Sequence, residues 1–303
     1  MWGRDGHMKK SKLEKSRNRW GIVFILPQLI SLVCLGIIPI VIAFVLSFFD
    51  WNGFSAPVFT GFQNFKAVFT DPDTGIAIKN TLVYSVIYVP CSIVLSLGLA
   101  MLLNKAWGKM FYRAVFFLPQ IVTSVGIAVV WSWIYQPQFG ILNMILRFFG
   151  IEGKEWLRDP STAMGAVIVM SIWWGLGYNI VLFLAGLQNV PRTYVEAAKI
   201  DGANERQVFF NITVPLISPT TLLVTITTMI NAFQVFDQMF LLTSGGPAKK
   251  TYTMAIHIYQ TAFKSYELGK ASTAALILFF VVVAVSVIQF KLSDKWVHYL
   301  SLI

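Results

Sequence analysis

The sequence predicts an all-α integral membrane protein with six transmembrane helices. The chain of 303 residues is 56% hydrophobic and only 13% charged, and its mean hydropathy is +0.66. A water-soluble domain would be about 45–50% apolar and about 25% charged. The deviation indicates that lipid surrounds most of the chain, and the apolar residues are gathered in six long stretches.

These six stretches are long enough to cross a bilayer, for which a helix needs about 20 mostly apolar residues. Each is free of Asp, Glu, Lys and Arg over at least twenty positions. The stretches are 20–49, 80–104, 114–137, 161–190, 207–236 and 271–290. Pro39, Pro90 and Pro119 lie inside stretches and are tolerable there, because neighbouring helices can satisfy the carbonyl groups that proline leaves without a partner.

Basic residues are distributed unevenly among the segments between the stretches. Seven precede the first stretch, and the segments that would share its side hold fifteen of the 24 Lys and Arg residues. Because basic segments favour the cytoplasmic side, we expect both termini to be cytoplasmic. Residues 1–19 and 296–303 are then tails around a transmembrane domain of 20–295. Residues 1–7 have the character of an added extension, and we expect Met8 to be the natural start.

The formal net charge of +10 does not indicate a nucleic-acid partner. A basic cluster directly before an apolar stretch is typical of a segment that anchors to membrane lipid, whereas nucleic acid requires a basic face on a folded domain. Cys34 and Cys91 lie inside apolar stretches, and the three histidines are scattered. The sequence therefore predicts membrane lipid as a partner, with no metal site and no nucleic acid.

The segment 191–215, between the fourth and fifth stretches, carries the most informative pattern. Thr193 and Glu196 stand three residues apart, which is typical of a capping box at the start of a helix. Gly202 suits a helix C-terminus or turn that requires a positive φ. From these residues alone, a capped connector between two membrane helices is the simpler interpretation.

The spacing within this segment resembles the EAA loop of binding-protein-dependent ABC importer permeases. It differs from the usual pattern in having Val214 where leucine is usual before Pro215. In that family the loop forms a cytoplasmic coupling helix that docks into a groove of the ATPase subunit, and Glu196 would pair with a basic residue there. The residues to which the resemblance assigns this role are Glu196, Ala197, Ala198, Asp201, Gly202 and Ala203.

The resemblance covers most of the chain and implies the six-transmembrane-helix fold of type I ABC importer permeases. Residues 243–247 resemble an outer loop of the first-type permease of carbohydrate importers. The implied partners are a second homologous permease, two ATPase subunits that bind ATP and Mg, an extracytoplasmic solute-binding protein and a sugar. The implied location is the plasma membrane of a bacterium or archaeon, and no cofactor is expected in this chain itself.

Residues in the fourth stretch, and in and directly after the fifth, are candidate sugar contacts. They are Trp174, Gly175, Tyr178 and Asn179, and Asn231, Gln234, Asp237 and Gln238. The three- to four-residue spacing of Asn231, Gln234 and either Asp237 or Gln238 predicts that they lie on one face of a helix. Polar side chains at this depth are costly unless they face protein or water, and they therefore mark transport pathways. Hydrogen bonding between helices, without substrate contact, is the alternative.

No pattern predicts that the chain is an enzyme. The phosphate-binding pattern Gly-x-x-x-x-Gly-Lys-Ser/Thr is not present in the sequence, so ATP would have to be hydrolysed by another subunit. A secondary active sugar transporter is the alternative, but it would be expected to show inverted repeats and midplane ionisable residues. A passive channel ranks third. No Lys or Arg falls within the six stretches, which favours a neutral oligosaccharide over glycerol phosphate.

Overall fold

The computed structural model of this protein describes residues 12–105 and 109–298. The expected extension at residues 1–7 lies outside the described residues, as do the rest of 1–11, 106–108 and 299–303. Most of the two predicted tails therefore falls outside the part of the chain that the structure describes. Within that part, the chain folds as a bundle of α-helices with one small sheet.

The helices are α1 (Lys12–Ser31), α2 (Ile38–Leu46), α3 (Gln63–Thr70), α4 (Pro72–Lys105), α5 (Lys109–Ile121), α6 (Ser124–Ile134), α7 (Ile141–Phe148), α8 (Ala163–Gln188), α9 (Arg192–Ile200), α10 (Glu205–Val208), α11 (Val214–Leu216), α12 (Ser218–Phe233), α13 (Asp237–Thr243), α14 (Met254–Phe263) and α15 (Leu268–Ser293). π-Helical segments at Leu32–Ile37 and Phe209–Thr213 join α1 to α2 and α10 to α11. The strands β1 (Phe49–Asp50) and β2 (Val58–Phe59) pair antiparallel.

Six parts of the described chain are long and apolar enough to cross a membrane, and two of them are bent. Four are continuous, namely Trp20–Leu46, Pro72–Lys105, Ala163–Gln188 and Leu268–Ser293. The other two are helix pairs, Phe111–Ile121 with Ser124–Ile134 at 99° and Glu205–Leu216 with Ser218–Phe233 at 66°. The six-span prediction is confirmed when each bent pair is counted as one span.

Prolines account for both bends. Pro119 lies near the end of α5 and has no N–H to continue a helical ladder. Thr123 then caps α6, and its hydroxyl oxygen accepts the Gly126 N–H at 3.4 Å. At the second bend, α11 ends at Leu216 and α12 starts with a proline in its first turn, a position that suits the fixed φ of proline.

The helices α4 and α8 form the centre of the bundle. They pack more extensively against each other than any other pair does among the described residues, and α12 and α5 pack beside them. The approach of α5 to α8 requires Gly177, because a side chain there would collide with the Phe116 carbonyl oxygen. The buried side chains at the centre include Tyr84, Ile180 and Phe183. This arrangement places α4, α8 and α12 around one central region.

The first span stands apart from the rest of the bundle. No residue of Trp20–Leu46 is buried, and within the described part of the chain α2 lies against α15 and β1. Nearly all of its exposed residues are apolar, so this surface is unfavourable in contact with water. Lipid, or another apolar protein surface, must cover it.

The segments between the spans gather at the two ends of the bundle, as the distribution of basic residues predicts. At one end, Lys105 of α4 forms an ion pair of 2.9 Å with Glu205 of α10. At the other end, Lys249 forms an ion pair with Asp73, which lies in the first turn of the same α4. Because α4 is a continuous helix, these two groups lie at opposite ends of the bundle. Segments predicted to share a side therefore lie together.

Candidate translocation cavity and coupling segment

A cavity of about 380 Å³ opens between α4, α8, α12 and the start of α13. The structure brings both predicted sets of contact residues to its wall. All eight candidates line it: Trp174, Gly175, Tyr178, Asn179, Asn231, Gln234, Asp237 and Gln238. Six further residues that the sequence did not indicate also line it, and they are Tyr88, Gln120, Ser171, Thr228, Val235 and Phe236. Contact of these residues with a substrate stays a prediction.

The candidates of the fifth stretch do not lie on one continuous helix face, and that prediction is wrong. Helix α12 ends at Phe233, the backbone is unwound over 234–236, and α13 begins at Asp237. The φ and ψ of Phe236 are −128° and −61°, so this residue does not continue the helix. Its ring instead stacks on Phe240 and packs against Tyr259, with ring centroids 5.0 and 5.3 Å away. This aromatic packing overrides helical continuation and turns residues on both sides of the break toward the cavity.

The cavity is polar and almost uncharged. Asp237 is the one carboxylate among its described lining residues, and none of these residues carries a positive charge. Apart from Gly175 and Val235, the others supply amides, hydroxyls and aromatic rings. Trp174 is fixed in place because its Nε1–H donates to the Pro119 carbonyl oxygen at 2.9 Å, close to the bend between α5 and α6. Such a wall can hydrogen-bond neutral hydroxyl groups and pack against the apolar face of a ring.

Asn179 has partners on two neighbouring helices. Its Nδ2 lies 3.1 Å from the Ser92 hydroxyl of α4 and 3.3 Å from the Thr228 hydroxyl of α12. The side chain is almost completely buried. This geometry matches the alternative of hydrogen bonding between helices. Asn179 therefore holds three helices together at the cavity wall.

Tyr88 of α4 and Phe236 are the two aromatic lining residues that the sequence did not indicate. Only Tyr88 lies on a helix of the central pair. Its ring stacks on Tyr84, with centroids 5.1 Å apart and planes 11° apart. Its hydroxyl lies against the backbone of α8, because a Cβ on Gly175 would stand 2.6 Å from the Tyr88 Oη. The four-residue spacing of the two tyrosines, which places them on one helix face, is the signal that could have found it.

The capping box predicted at Thr193 and Glu196 is wrong. Helix α9 begins after Pro191, an N-cap residue with extended φ and ψ of −64° and 128°, and no side chain caps this end. A capping box forms instead at the start of α10. There the Asn204 side chain accepts the Gln207 N–H at 2.9 Å, and the Gln207 side chain accepts the Asn204 N–H at 2.8 Å. The helix thus starts earlier than the Thr193 signal indicates.

Gly202 has the positive φ that the sequence predicts, with a value of +87°. It ends α9 in a Schellman motif. The Gly202 N–H donates to the Lys199 carbonyl oxygen at 3.1 Å, and the Ala203 N–H donates to the Ala198 carbonyl oxygen at 2.9 Å. The motif reverses the chain between α9 and α10 and so fixes the angle at which α9 leaves the bundle.

Helix α9 presents an unusual surface at its end of the bundle. Ile200 is 86% exposed, and Glu196 one turn before it is also exposed, as is Ala197. Residues four apart lie on the same helix face, so an apolar side chain and a carboxylate stand side by side. Next to this face is a groove of about 660 Å³ that Glu196 lines together with Lys199. The projecting helix thus offers both apolar and charged groups to a neighbouring body.

Up to six membrane-crossing helices around a polar cavity, with a helix projecting at one end, define a multi-pass membrane permease. Residues 92–299 match the family described as binding-protein-dependent transport system inner membrane component. The chain belongs to this family and is the permease subunit of a binding-protein-dependent ABC importer. The family resemblance predicted from the EAA spacing is thereby confirmed, and the secondary active transporter is not favoured.

Relatives match over nearly the full chain. The probable ABC transporter permease protein YesP of Bacillus subtilis strain 168 is 36% identical, over 97% of this chain and 96% of the relative. The probable starch degradation products transport system permease protein AmyD of Thermoanaerobacterium thermosulfurigenes is 34% identical, over 95% and 98%. A solved chain of a bacterial alginate ABC transporter, in complex with alginate pentasaccharide-bound periplasmic protein, matches with a TM-score of 0.82. That match covers 95% of this chain and 98% of the other at 20% identity, and it shows the fold.

Proposed function

We propose that this chain forms, with a second homologous permease, the pathway by which a neutral oligosaccharide is imported. The observation that carries the proposal is the cavity lined by amides, hydroxyls and aromatic rings, with no cationic side chain among its described lining residues. Amides can bind sugar hydroxyls, and aromatic faces can pack against the ring. A phosphorylated substrate such as glycerol phosphate would instead call for Arg or Lys. The similarity to AmyD, which is named for starch degradation products, supports a sugar.

We further propose that transport is driven by two ATPase subunits, which bind ATP and Mg, and that one of them docks on α9. The contact would be made by Glu196, Ala197 and Ala198, and its position would be set by the turn over 201–203. The exposed face of α9 and the Schellman motif at its end support this arrangement. The excess of basic residues in the segments predicted to share a side with α9 supports a cytoplasmic location for α9 and for both termini.

At the opposite end, an extracytoplasmic solute-binding protein would deliver the sugar to the cavity. Support comes from the family to which the chain belongs and from the matched alginate transporter, which carries a periplasmic protein. The membrane would be the plasma membrane of a bacterium or archaeon. In this arrangement the chain itself supplies the pathway and the docking helix, and chemical energy enters through its partners.

Reconstitution tests this function directly. The chain is assembled in vesicles with its second permease and ATPase, and the binding protein and a labelled malto-oligosaccharide are added outside. We expect the sugar to accumulate only when MgATP is present on the ATPase side. Sugar accumulation driven by a proton or sodium gradient, with ATP hydrolysis blocked, would contradict the proposal. Transport by the purified chain alone would contradict it as well.

Two substitutions at the cavity wall test where the sugar binds. We expect Gln234→Ala and Tyr178→Ala each to lower the apparent affinity for sugar about 2- to 10-fold, because each removes one hydrogen bond to a sugar hydroxyl. Assembly and basal ATP hydrolysis should be unchanged. Tyr112→Ala is the control, since Tyr112 is a half-exposed residue of α5 outside the cavity lining. Wild-type sugar dependence in both cavity variants would show that the two side chains are structural.

A further inference from the structure

The unwound segment 234–236 leaves a backbone carbonyl group without a helical partner inside the protein. The Val235 carbonyl oxygen accepts a hydrogen bond of 3.0 Å from the hydroxyl of Thr253. Val235 is almost completely buried, and Thr253 is fully buried. Because a buried carbonyl group is costly without a donor, this one hydrogen bond accounts for how the break is tolerated at this place.

The Thr253 side chain does not make the helix-capping hydrogen bond that is usual for threonine at its position. Thr253 is the N-cap residue of α14, a position at which threonine side chains normally accept an N–H of the helix that they precede. Its side chain makes no such capping bond. The hydroxyl is directed instead at a segment 18 residues earlier in the chain. Because the hydroxyl bonds the Val235 carbonyl oxygen and not its own helix, we infer that this side chain holds the unwound segment in place.

Thr253 is itself held in place by the outer part of α4. The N–H of Met254, its neighbour, donates to the Thr81 hydroxyl oxygen at 3.0 Å. On its other side, the carbonyl oxygen of Tyr252 accepts a hydrogen bond of 3.0 Å from the Asn80 amide. Since α4 packs extensively on α8, Thr253 has a fixed position relative to the centre of the bundle.

His257, one turn into α14, extends the same network toward the start of α4. Its Nε2 lies 3.1 Å from the Thr74 hydroxyl, and its Nδ1 lies 3.2 Å from the Tyr252 hydroxyl. Burial lowers the pKa of His257, while the nearby Asp71 and Asp73 oppose this and Lys249 adds to it. The ring is therefore neutral at pH 7. It can donate from one nitrogen and accept at the other, and each of the two hydroxyl groups can serve as either partner.

We propose that Thr253 is a positioning residue of the translocation cavity, which acts by fastening the Val235 carbonyl group. Gln234 and Phe236, on either side of Val235, both line the cavity. A shift of the Val235 carbonyl group moves both of them. The outer loop that carries Thr253 thus sets the shape of the sugar-binding wall, in addition to connecting two helices. The inference rests on the proposed function, because its consequence is a change in how sugar is held.

Three variants in the assembled transporter test this proposal. Thr253→Val keeps the shape of the side chain and removes the donor, whereas Thr253→Ser keeps the hydroxyl group. Thr251→Val is the matched control, because the buried Thr251 hydroxyl lies in the same loop but bonds the Gly246 carbonyl oxygen, away from the cavity. The quantity measured is the number of labelled malto-oligosaccharide molecules imported per ATP hydrolysed.

We expect Thr253→Val to lower this ratio about tenfold, as for the loss of a donor to a buried acceptor. Thr253→Ser should restore most of the ratio, and Thr251→Val should leave it near the wild-type value. When Gln234→Ala is already present, Thr253→Val should have little further effect, because both act on the same part of the wall. If Thr253→Val does not assemble, Thr253→Ala takes its place in every comparison.

The proposal is overturned if the ratio in the Thr253→Val transporter equals that of the wild type. It is also overturned if Thr251→Val causes an equal loss, if Thr253→Ser fails to restore the ratio, or if the effects of Thr253→Val and Gln234→Ala are independent. The proposed function fails by a different result, which is that the wild-type transporter imports no sugar with MgATP. Sugar import by the wild type with unchanged variants would therefore count against the role of Thr253 alone.

Discussion

Gly202→Val is expected to abolish, or lower at least tenfold, ATP-driven transport, and to release or misalign the ATPase. The φ of Gly202 is +87°, a region that a β-branched residue rarely adopts. The cost, of about 1–2 kcal/mol or more, falls on the Schellman motif that sets the direction of α9. The measurement is sugar uptake and sugar-stimulated ATP hydrolysis in reconstituted complexes, with capture of the ATPase as a test of assembly.

Gly202→Val is expected to act through backbone strain and not through a steric clash of the new side chain with its neighbours. A Cβ on Gly202 would meet no other heavy atom within 4 Å, so the strain is confined to the backbone. Gly202→Asn should therefore be much milder, because asparagine tolerates the left-handed region. Gly61→Val is the matched control. Gly61 also has a positive φ, +58°, with nothing within 4 Å, and it lies near β2, in a segment that is predicted to be on the outer side.

Normal transport by the Gly202→Val complex, with the ATPase bound, would show that α9 is only a connector. A loss of equal size in Gly61→Val would show that backbone strain anywhere in the chain produces the effect. A selective loss at Gly202 would tie the angle of α9 to coupling. It would also support the docking surface proposed for α9, to which the exposed Glu196 belongs.

The spans were predictable because each signal is local and strong. Twenty apolar residues without a charge leave few structures other than a membrane helix, and this held even where Pro119 bends the third span. The start of α9 was less predictable, because Pro191 and Thr193 both signal a helix start two residues apart. The helix begins directly after Pro191, which stands at the N-cap with an extended backbone. Thr193 therefore lies inside the first turn, where its side chain does not act as the cap.

Many of the residues that line the cavity could be predicted from the sequence, but the break between α12 and α13 that brings them together could not. Asn231, Gln234 and Asp237 stand out as polar residues in an apolar stretch, and that is a local signal. The break between them depends on the stacking of Phe236 on Phe240 and on the hydroxyl of Thr253, and the latter lies 18 residues from the carbonyl that it binds. No spacing rule joins those positions. Long-range contacts of this kind are visible only in the folded chain.

The second large effect is expected for Gly175→Ala, at the part of the cavity wall where Tyr88 lies against α8. The added Cβ would stand 2.6 Å from the Tyr88 hydroxyl oxygen, which is closer than such atoms approach each other. Tyr88 cannot easily turn aside because its ring is stacked on Tyr84. We therefore expect the ring to move into the cavity, and sugar transport to fall about tenfold, in keeping with the 1–3 kcal/mol typical of overpacking. The measurement is sugar uptake against sugar concentration in the reconstituted complex.

The structure also predicts how this loss can be repaired. The next atom of Tyr88 that the new Cβ would meet is Cζ, at 3.8 Å, which is an ordinary contact distance. Tyr88→Phe removes the hydroxyl group, so the double variant Gly175→Ala with Tyr88→Phe should recover most of the transport lost in Gly175→Ala. Gly165→Ala is the matched control, since it lies on the same helix with nothing within 4 Å. Undiminished transport in Gly175→Ala, or a double variant as poor as the single one, would show that the contact between Gly175 and Tyr88 does not shape the cavity.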